Sequence, residues 1–300
     1  MTPQANEFRF LDPAVIAKIG TLELKARLIV EGFLSGLHRS PFKGFSVEFA
    51  EYRQYMPGDD LSTLDWKVYA RSDRFYVKKY EEETNLDCHI LLDVSASMGY
   101  GSQGITKLEY SSYLAASLGY LMNRQRDAVG FMAFDDRVVS VVPPSARPGH
   151  LRSLLVTLQR LELGRRTHVS KPLHHLADTL VKRGMVVLIS DLLDEPRQVV
   201  EGLKHFRFRG TDVIVFHVLD RNELTFPFER AARFQDMETD DEVMAVPAAV
   251  REQYLRQINE LIDIYRRELQ LAGIDYCLLE TSKPLDFALM SYLATRSRSY

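Results

Sequence analysis

From residue 86 onward, the chain alternates short apolar segments with longer segments of helical periodicity, and this alternation most constrains its fold. LDCHILLD, at residues 86–93, opens the series, and a later apolar run, VVLIS, ends just before Asp191. Such alternation predicts a mostly parallel sheet covered by helices on both faces. We expect strands at residues 87–93, 128–134, 138–142, 185–191, 212–218 and 274–280. We expect helices at residues 105–124, 150–161, 171–183, 196–206, 248–271 and 284–295.

The first 85 residues follow a different pattern. Residues 1–36 carry apolar positions at roughly helical spacing from Pro13 onward. Residues 37–85 are rich in turn residues and aromatics, and the alternation around Val77 predicts a strand. We therefore expect an N-terminal helix with a small β-rich region over residues 1–85. An α/β domain would follow over residues 86–300, with a β-hairpin insertion near 232–247.

Composition excludes several classes of protein. The 38 Lys and Arg residues against 41 Asp and Glu residues leave a net charge of -3, so no overall basic field attracts nucleic acid. Cys88 and Cys277 lie in apolar runs without metal-ligand spacing, which predicts buried free thiols. The N-terminus lacks the pattern of a signal peptide. The apolar runs are shorter than the ~18 residues of a membrane span, so we expect a soluble, cytoplasmic protein.

The turn after the first predicted strand carries the most chemistry. Asp93, Ser95 and Ser97 stand at two-residue spacing and are followed by GYGSQG, which fits G-x-G-x-x-G. A dinucleotide fingerprint needs its first glycine directly after the strand, whereas Gly99 lies six residues past Asp93. A nucleophile elbow needs a glycine where Ser95 stands. The turn therefore departs from both patterns, which argues against nucleotide binding and against a nucleophilic serine.

A metal site is the third interpretation of this turn. Oxygen side chains at positions i, i+2 and i+4 after a strand can converge on one point, and one carboxylate with hydroxyls suits Mg²⁺. Thr167 lies in a loop before a helix, and Asp191 ends a strand that reaches the same edge. A strand-end Asp also forms turns, and Ser95 and Ser97 could cap the following helix. The presence of all three segments favours the metal site over the capping roles.

Three segments, DVSAS at 93–97, GRRTH at 164–168 and ISDLLD at 189–194, together resemble the metal-ion-dependent adhesion site of von Willebrand factor type A domains. The resemblance implies a Rossmann-like, doubly wound, mostly parallel sheet whose first and fourth strands are neighbours at the centre. It implies Asp93, Ser95, Ser97 and Thr167 as ligands of Mg²⁺, or of Mn²⁺ in its place. Asp191 would bind through water or orient a ligand.

Residues 48–83 resemble the signature of a bacterial family called domain of unknown function 58, whose members are associated with MoxR-type AAA+ ATPases. The signature residues are Glu48, Phe49, Arg53, Tyr55, Pro57, Gly58, Asp59, Asp60, Asp65, Trp66, Ala70 and Arg71. The resemblance implies a non-enzymatic adaptor that works with such an ATPase and binds the Asp or Glu of a third, client protein through its metal.

The charged part of this signature has two interpretations. Its members are Arg53, Asp59, Asp60, Asp65, Trp66 and Arg71. Buried acids and arginines are usually paired, which favours a structural network between the N-terminal region and the α/β domain over a direct binding site. We expect Trp66, the single tryptophan, to be buried at that junction.

Two alternatives to the metal-dependent adaptor remain. A metal-assisted hydrolase could use the same Asp93/Asp191 edge, with His168 as the base beside a metal-bound water. A degenerate site could instead leave a domain that binds partners without metal. The adaptor hypothesis predicts no catalytic residue.

Overall fold

The computed structural model describes residues 13–39, 52–54, 76–78, 87–164, 169–179, 184–239 and 241–296. The N-terminal part contains a short helix, α1 (Pro13–Ala17), and a longer one, α2 (Leu22–Arg39). Two three-residue strands, β1 (Tyr52–Gln54) and β2 (Tyr76–Lys78), follow and pair antiparallel.

A six-stranded sheet forms the centre of the molecule. Its strands are β3 (Asp87–Asp93), β4 (Ala128–Phe134), β5 (Val138–Ser145), β6 (Gly184–Ser190), β7 (Asp212–Leu219) and, after a separate hairpin, β10 (Asp275–Glu280). The strand order is β10-β7-β6-β3-β4-β5, and every neighbouring pair is parallel except β4 with β5. The mostly parallel α/β sheet predicted from the sequence is therefore confirmed, with its first and fourth strands, β3 and β6, adjacent.

Helices cover both faces of this sheet. They are α3 (Lys107–Arg124), α4 (His150–Gln159), α5 (Ser170–Thr179), α6 (Pro196–Phe208), α7 (Arg221–Thr225), α8 (Pro247–Leu271) and α9 (Asp286–Arg296). One face of the sheet is covered by α3, α4 and α9, and α2 packs on these helices. The other packs against α5, α6 and α8. All seven residues of β6 are consequently buried, as a strand covered on both faces requires.

The helix α2 belongs to the same core as the sheet. Its buried residues Ala26, Ile29 and Phe33 join the apolar cluster that contains α3. The Lys25 ammonium group is also buried there and donates a 3.0 Å hydrogen bond to the Tyr113 hydroxyl of α3. Apolar burial and this polar contact together attach the N-terminal helix to the outer side of α3.

Most predicted boundaries lie within two residues of the observed ones, and the differences have local causes. β5 runs to Ser145, three residues beyond its predicted end, because it is an edge strand and tolerates Pro143 and Pro144 there. The helix predicted from residue 105 begins at Lys107, since Thr106 and Glu109 form a capping box. Residues 180–183, where we predicted the end of another helix, lie outside the described part of the chain.

A second small sheet follows β7. It is an antiparallel hairpin of β8 (Ala232–Gln235) and β9 (Glu242–Ala245). Phe226, Phe228, Phe234 and Tyr254 pack at its base, with ring centroids 4.6 to 5.5 Å apart. Among the described helices, none is both long and apolar enough to cross a membrane.

Candidate metal and partner-binding site

The acidic residues predicted to share a site meet at the carboxyl-terminal edge of the sheet. Asp93 is the last residue of β3, and Asp191 directly follows the last residue of the adjacent strand β6. Both side chains are fully buried. Because parallel neighbours end at the same edge, topology alone brings these two carboxylates together.

The turn after β3 is built around the Asp93 carboxylate. One oxygen of Asp93 accepts a 2.9 Å hydrogen bond from the Ser95 backbone N–H, and the other accepts a 2.6 Å bond from the Ser190 hydroxyl. The Ser95 and Ser97 hydroxyl oxygens lie 3.1 Å apart. Ser95 precedes a short 3₁₀ turn, but its side chain makes no capping hydrogen bond to that turn. The two hydroxyl groups thus face each other beside Asp93 rather than capping the backbone.

Burial raises the pKa of Asp93 to about 7, and repulsion from Asp191 adds to the effect. Hydrogen bonds from Ser190 and Ser95 lower the pKa only in part. Both of these hydrogen-bond donors are uncharged, so they do not neutralise the carboxylate. Asp93 is therefore the acid of this site whose ionised form is least compensated.

Asp191 has a cationic partner, Lys107. The fully buried Lys107 ammonium donates a 2.8 Å hydrogen bond to Asp191 and a 2.6 Å hydrogen bond to Glu223. Burial by itself would raise the pKa of Asp191, but the Lys107 charge and hydrogen bonds from Lys107 and Ser97 outweigh burial and lower it. Asp191 is accordingly ionised at neutral pH, whereas the pKa of Asp93 is itself close to neutral.

The glycine-rich loop after the 3₁₀ turn is held against the end of β7. Ser102 donates from its backbone N–H and its hydroxyl to Asp220, at 3.0 and 2.5 Å. A Cβ on Gly101 would lie 2.2 Å from the Ile105 carbonyl oxygen, so only glycine fits that approach. Through these hydrogen bonds the loop that follows β3 is attached to the end of β7, where Asp220 is the N-cap of α7.

A buried histidine lies beside the same edge. His217, on β7, is the register partner of Ser190 and lies 2.8 Å from the Tyr276 hydroxyl through its Nδ1. Burial lowers the pKa of His217 to about 4. His217 is thus a neutral polar residue of the core at physiological pH.

Several predicted residues lie outside the described part of the chain. Thr167 and His168 belong to this group, as do Asp59, Asp60, Asp65, Trp66 and Arg71 of the signature region. The backbone of Arg53 lies in β1, but its side chain is not described. The residues on either side of the segment that contains Thr167 are hydrogen-bonded to the carboxyl-terminal edge of the sheet. Gly164 N–H donates to the Val94 carbonyl, and Val169 N–H donates to the Asp194 carboxylate. The proposed ligand role of Thr167 therefore stays a prediction.

The described side chains fit a hard divalent cation in their donor chemistry. Asp93, Ser95 and Ser97 supply a carboxylate and two hydroxyl oxygens, the ligand type that Mg²⁺ accepts together with water. Within the described ranges, no group of three or more His, Cys, Asp or Glu side chains could hold a metal ion. A cation here would consequently depend on hydroxyl groups and water, as the sequence predicts, with Lys107 adjacent to Asp191.

Sequence reasoning did not single out Lys107, Ser190 or Glu223. Lys107 lies in the first turn of a helix, where the helix dipole disfavours a positive charge, but the polar residues around it give no sign in the sequence that it is buried. The short helix α7 has a readable signal, because Asp220 and Glu223 form a D-x-x-E capping box. The hydroxyl of Ser190, directly before Asp191, has no comparable sequence signal.

Sheet order, an antiparallel edge strand and an Asp-x-Ser-x-Ser turn at the carboxyl edge make up the α/β fold that the resemblance to von Willebrand factor type A domains implies. The model of a protein family described as "Protein of unknown function DUF58" matches residues 51–261, which is more than half of the chain. The protein therefore belongs to the DUF58 family, in agreement with the resemblance of its signature.

Similar proteins include an uncharacterised protein of Mycobacterium tuberculosis, 25% identical over 291 residues that make up 96% of this chain and 91% of that protein. Among solved structures, the conserved hypothetical protein BatB from Bacteroides thetaiotaomicron is 15% identical, with a TM-score of 0.49 over 71% of this chain and 98% of that one. The SpRpn10 VWA domain is 12% identical, with a TM-score of 0.39 over 72% and 97%.

Proposed function

We propose that this protein is a non-enzymatic interaction domain that binds a carboxylate of a partner protein through a Mg²⁺ or Mn²⁺ ion at the edge formed by Asp93 and Asp191. The observation that supports this most directly is the buried carboxylate of Asp93, whose hydrogen-bond donors among the described residues are all uncharged and which lies beside two hydroxyl groups. A divalent cation there would compensate the Asp93 charge.

The proposed ligands are Asp93, Ser95 and Ser97, with Thr167 from the neighbouring loop and Asp191 through water. A cation held by these groups would supply one exchangeable coordination position for an Asp or Glu of the partner. The chain itself orients the main ligand, because the Ser190 hydroxyl and the Ser95 N–H both donate to the Asp93 carboxylate. Such fixed oxygens favour binding because few side chains must be ordered when a cation arrives.

The proposed partner is a MoxR-type AAA+ ATPase, and a third protein with an exposed Asp or Glu would be the client. This assignment rests on the association of the family with such ATPases, and it goes with a cytoplasmic location. Under this proposal the protein recruits or positions the client for the ATPase and performs no chemistry itself.

A metal-independent interaction domain is the second candidate, and one contact favours it. The Lys107 ammonium already compensates Asp191, so part of the site's negative charge is neutralised without any metal. In that case Asp93 would stay protonated up to about pH 7, and partners would bind without a divalent ion.

Calorimetric titration with Mg²⁺ and Mn²⁺ separates these two candidates. We expect the wild type to bind one ion and Asp93→Asn to lose that binding, because the variant keeps the shape but not the charge. Asp127→Asn is the matched control, since Asp127 is another buried acid but lies before the start of β4, at the opposite edge of the sheet. Binding that is equal in wild type and Asp93→Asn would contradict the metal site.

Capture of a purified MoxR-type ATPase tests the partner. Wild type should retain the ATPase in Mg²⁺, whereas Asp93→Asn and wild type in chelator should not, with circular dichroism as the control for folding. Equal capture in all three would favour the metal-independent domain, and no capture by any of them would contradict the ATPase as direct partner.

A further inference from the structure

Lys107 stands in an unusual position for a lysine. It is the first residue of α3, where the helix dipole disfavours a positive charge, and its side chain is fully buried. Its ammonium contacts Asp191 at 2.8 Å and Glu223 at 2.6 Å. Such a buried charge is retained only where its partners compensate it, so the three groups form one unit.

The second partner, Glu223, is fixed independently of the site. Its other carboxylate oxygen accepts a 2.7 Å hydrogen bond from the Asp220 N–H, which completes the capping box of α7. Asp220 in turn holds the glycine-rich loop through Ser102. Glu223 therefore offers Lys107 an acceptor whose position does not depend on Asp191.

We infer that Lys107 is a positioning residue that sets the cation affinity of the site, and that Glu223 counteracts it by sharing the ammonium. The inference rests on the cation binding proposed above. Lys107 and a divalent ion would both lie near Asp191, and like charges in a partly desolvated region repel strongly. The ammonium therefore weakens cation binding, while attraction of the ammonium to Glu223 limits that penalty.

The two substitutions that remove these charges have opposite expected effects on Mg²⁺ affinity. Lys107→Met removes the competing charge and should tighten binding by at least about tenfold. Glu223→Gln removes the counter-charge, leaves the ammonium to Asp191 alone, and should weaken binding by about tenfold or more. A purely structural role for these residues would instead weaken binding in both variants.

Isothermal titration with Mg²⁺ and thermal unfolding with and without Mg²⁺ test the inference on the full chain. Because Mg²⁺ stabilises the state that binds it, Lys107→Met should gain more in Tm from Mg²⁺ than the wild type gains. Lys25→Met is the matched control, since Lys25 is also buried but bonds to Ala17 and Tyr113 away from the site. It should leave Mg²⁺ affinity unchanged.

The outcomes separate this inference from the proposed function. If wild type and every variant fail to bind Mg²⁺, the proposed metal site is wrong, and this inference is overturned with it. If the wild type binds Mg²⁺ and both substitutions change affinity in the same direction or not at all, only the inference is overturned. Should Lys107→Met not fold, the direction of the Glu223→Gln change decides.

Discussion

Replacing Asp93 by Asn should make the metal-free protein more stable above neutral pH. Burial raises the pKa of Asp93 from its ordinary value of 3.8 to about 7. Ionising the folded protein is therefore harder than ionising the unfolded chain, and the difference corresponds to at most about 4 kcal/mol above pH 7. Asn has nearly the same shape and carries no charge, so it escapes this penalty.

The direction of the pH dependence follows from the raised pKa. Stability that Asp93 contributes in its protonated form is fully present below about pH 4 and is lost as pH rises through about 7. The Asn variant lacks this loss. It gives up the acceptor that receives the Ser190 hydroxyl, which costs about 1 kcal/mol. At about pH 8.5 we expect a net gain of about 2–3 kcal/mol over the wild type.

Urea unfolding of both proteins in chelator, at about pH 4 and about pH 8.5, measures this difference. The variant should be equal to or slightly less stable than the wild type at the lower pH and clearly more stable at the higher one. Adding Mg²⁺ at the higher pH should stabilise the wild type and leave the variant unchanged, since only the wild type is expected to bind it. Parallel stability curves for the two proteins across this range would refute the reasoning.

Two further predictions concern packing. Gly101→Ala should cost about 1–3 kcal/mol of unfolding free energy, because its Cβ would meet the Ile105 carbonyl oxygen at 2.2 Å. Gly20→Ala is the control, since no atom lies within 4 Å of the added Cβ, and it should change stability little. Thermal unfolding of both variants and the wild type measures the difference. Trp66→Ala should cost about 3–5 kcal/mol if Trp66 is a buried anchor. A red-shifted and freely quenched Trp66 fluorescence in the native protein would contradict that burial.

Local sequence patterns were sufficient for the elements of the central sheet. The predicted ranges of β3 and β4 coincide with the observed ones, because each contains a run of apolar residues of the kind that a strand covered on both faces requires. The helix α8 ends just before Gly273, whose φ of 68° is the left-handed conformation that a C-terminal glycine provides. In these elements the pattern of neighbouring residues was enough to predict both the element and its ends.

The sequence also indicated which acids would meet, since it gave the strand ends and the resemblance made those strands neighbours. Asp93 and Asp191 are 98 residues apart in the chain, yet both end strands of one parallel sheet. Parallel strands present their carboxyl ends at one edge, so neighbouring strands bring such residues together whatever the loops between them do.

Tertiary structure alone decided how the charges of the site are paired. Lys107 is separated from Asp191 by 84 residues and from Glu223 by 116, and no local periodicity relates these positions. The same holds for Ser102 and Asp220, which are 118 residues apart. The raised pKa of Asp93 likewise depends on complete burial and on the nearby Asp191 charge. Electrostatic compensation is a property of distances in the folded chain, whereas strand and helix patterns are properties of neighbouring residues, so only the latter can be read from sequence.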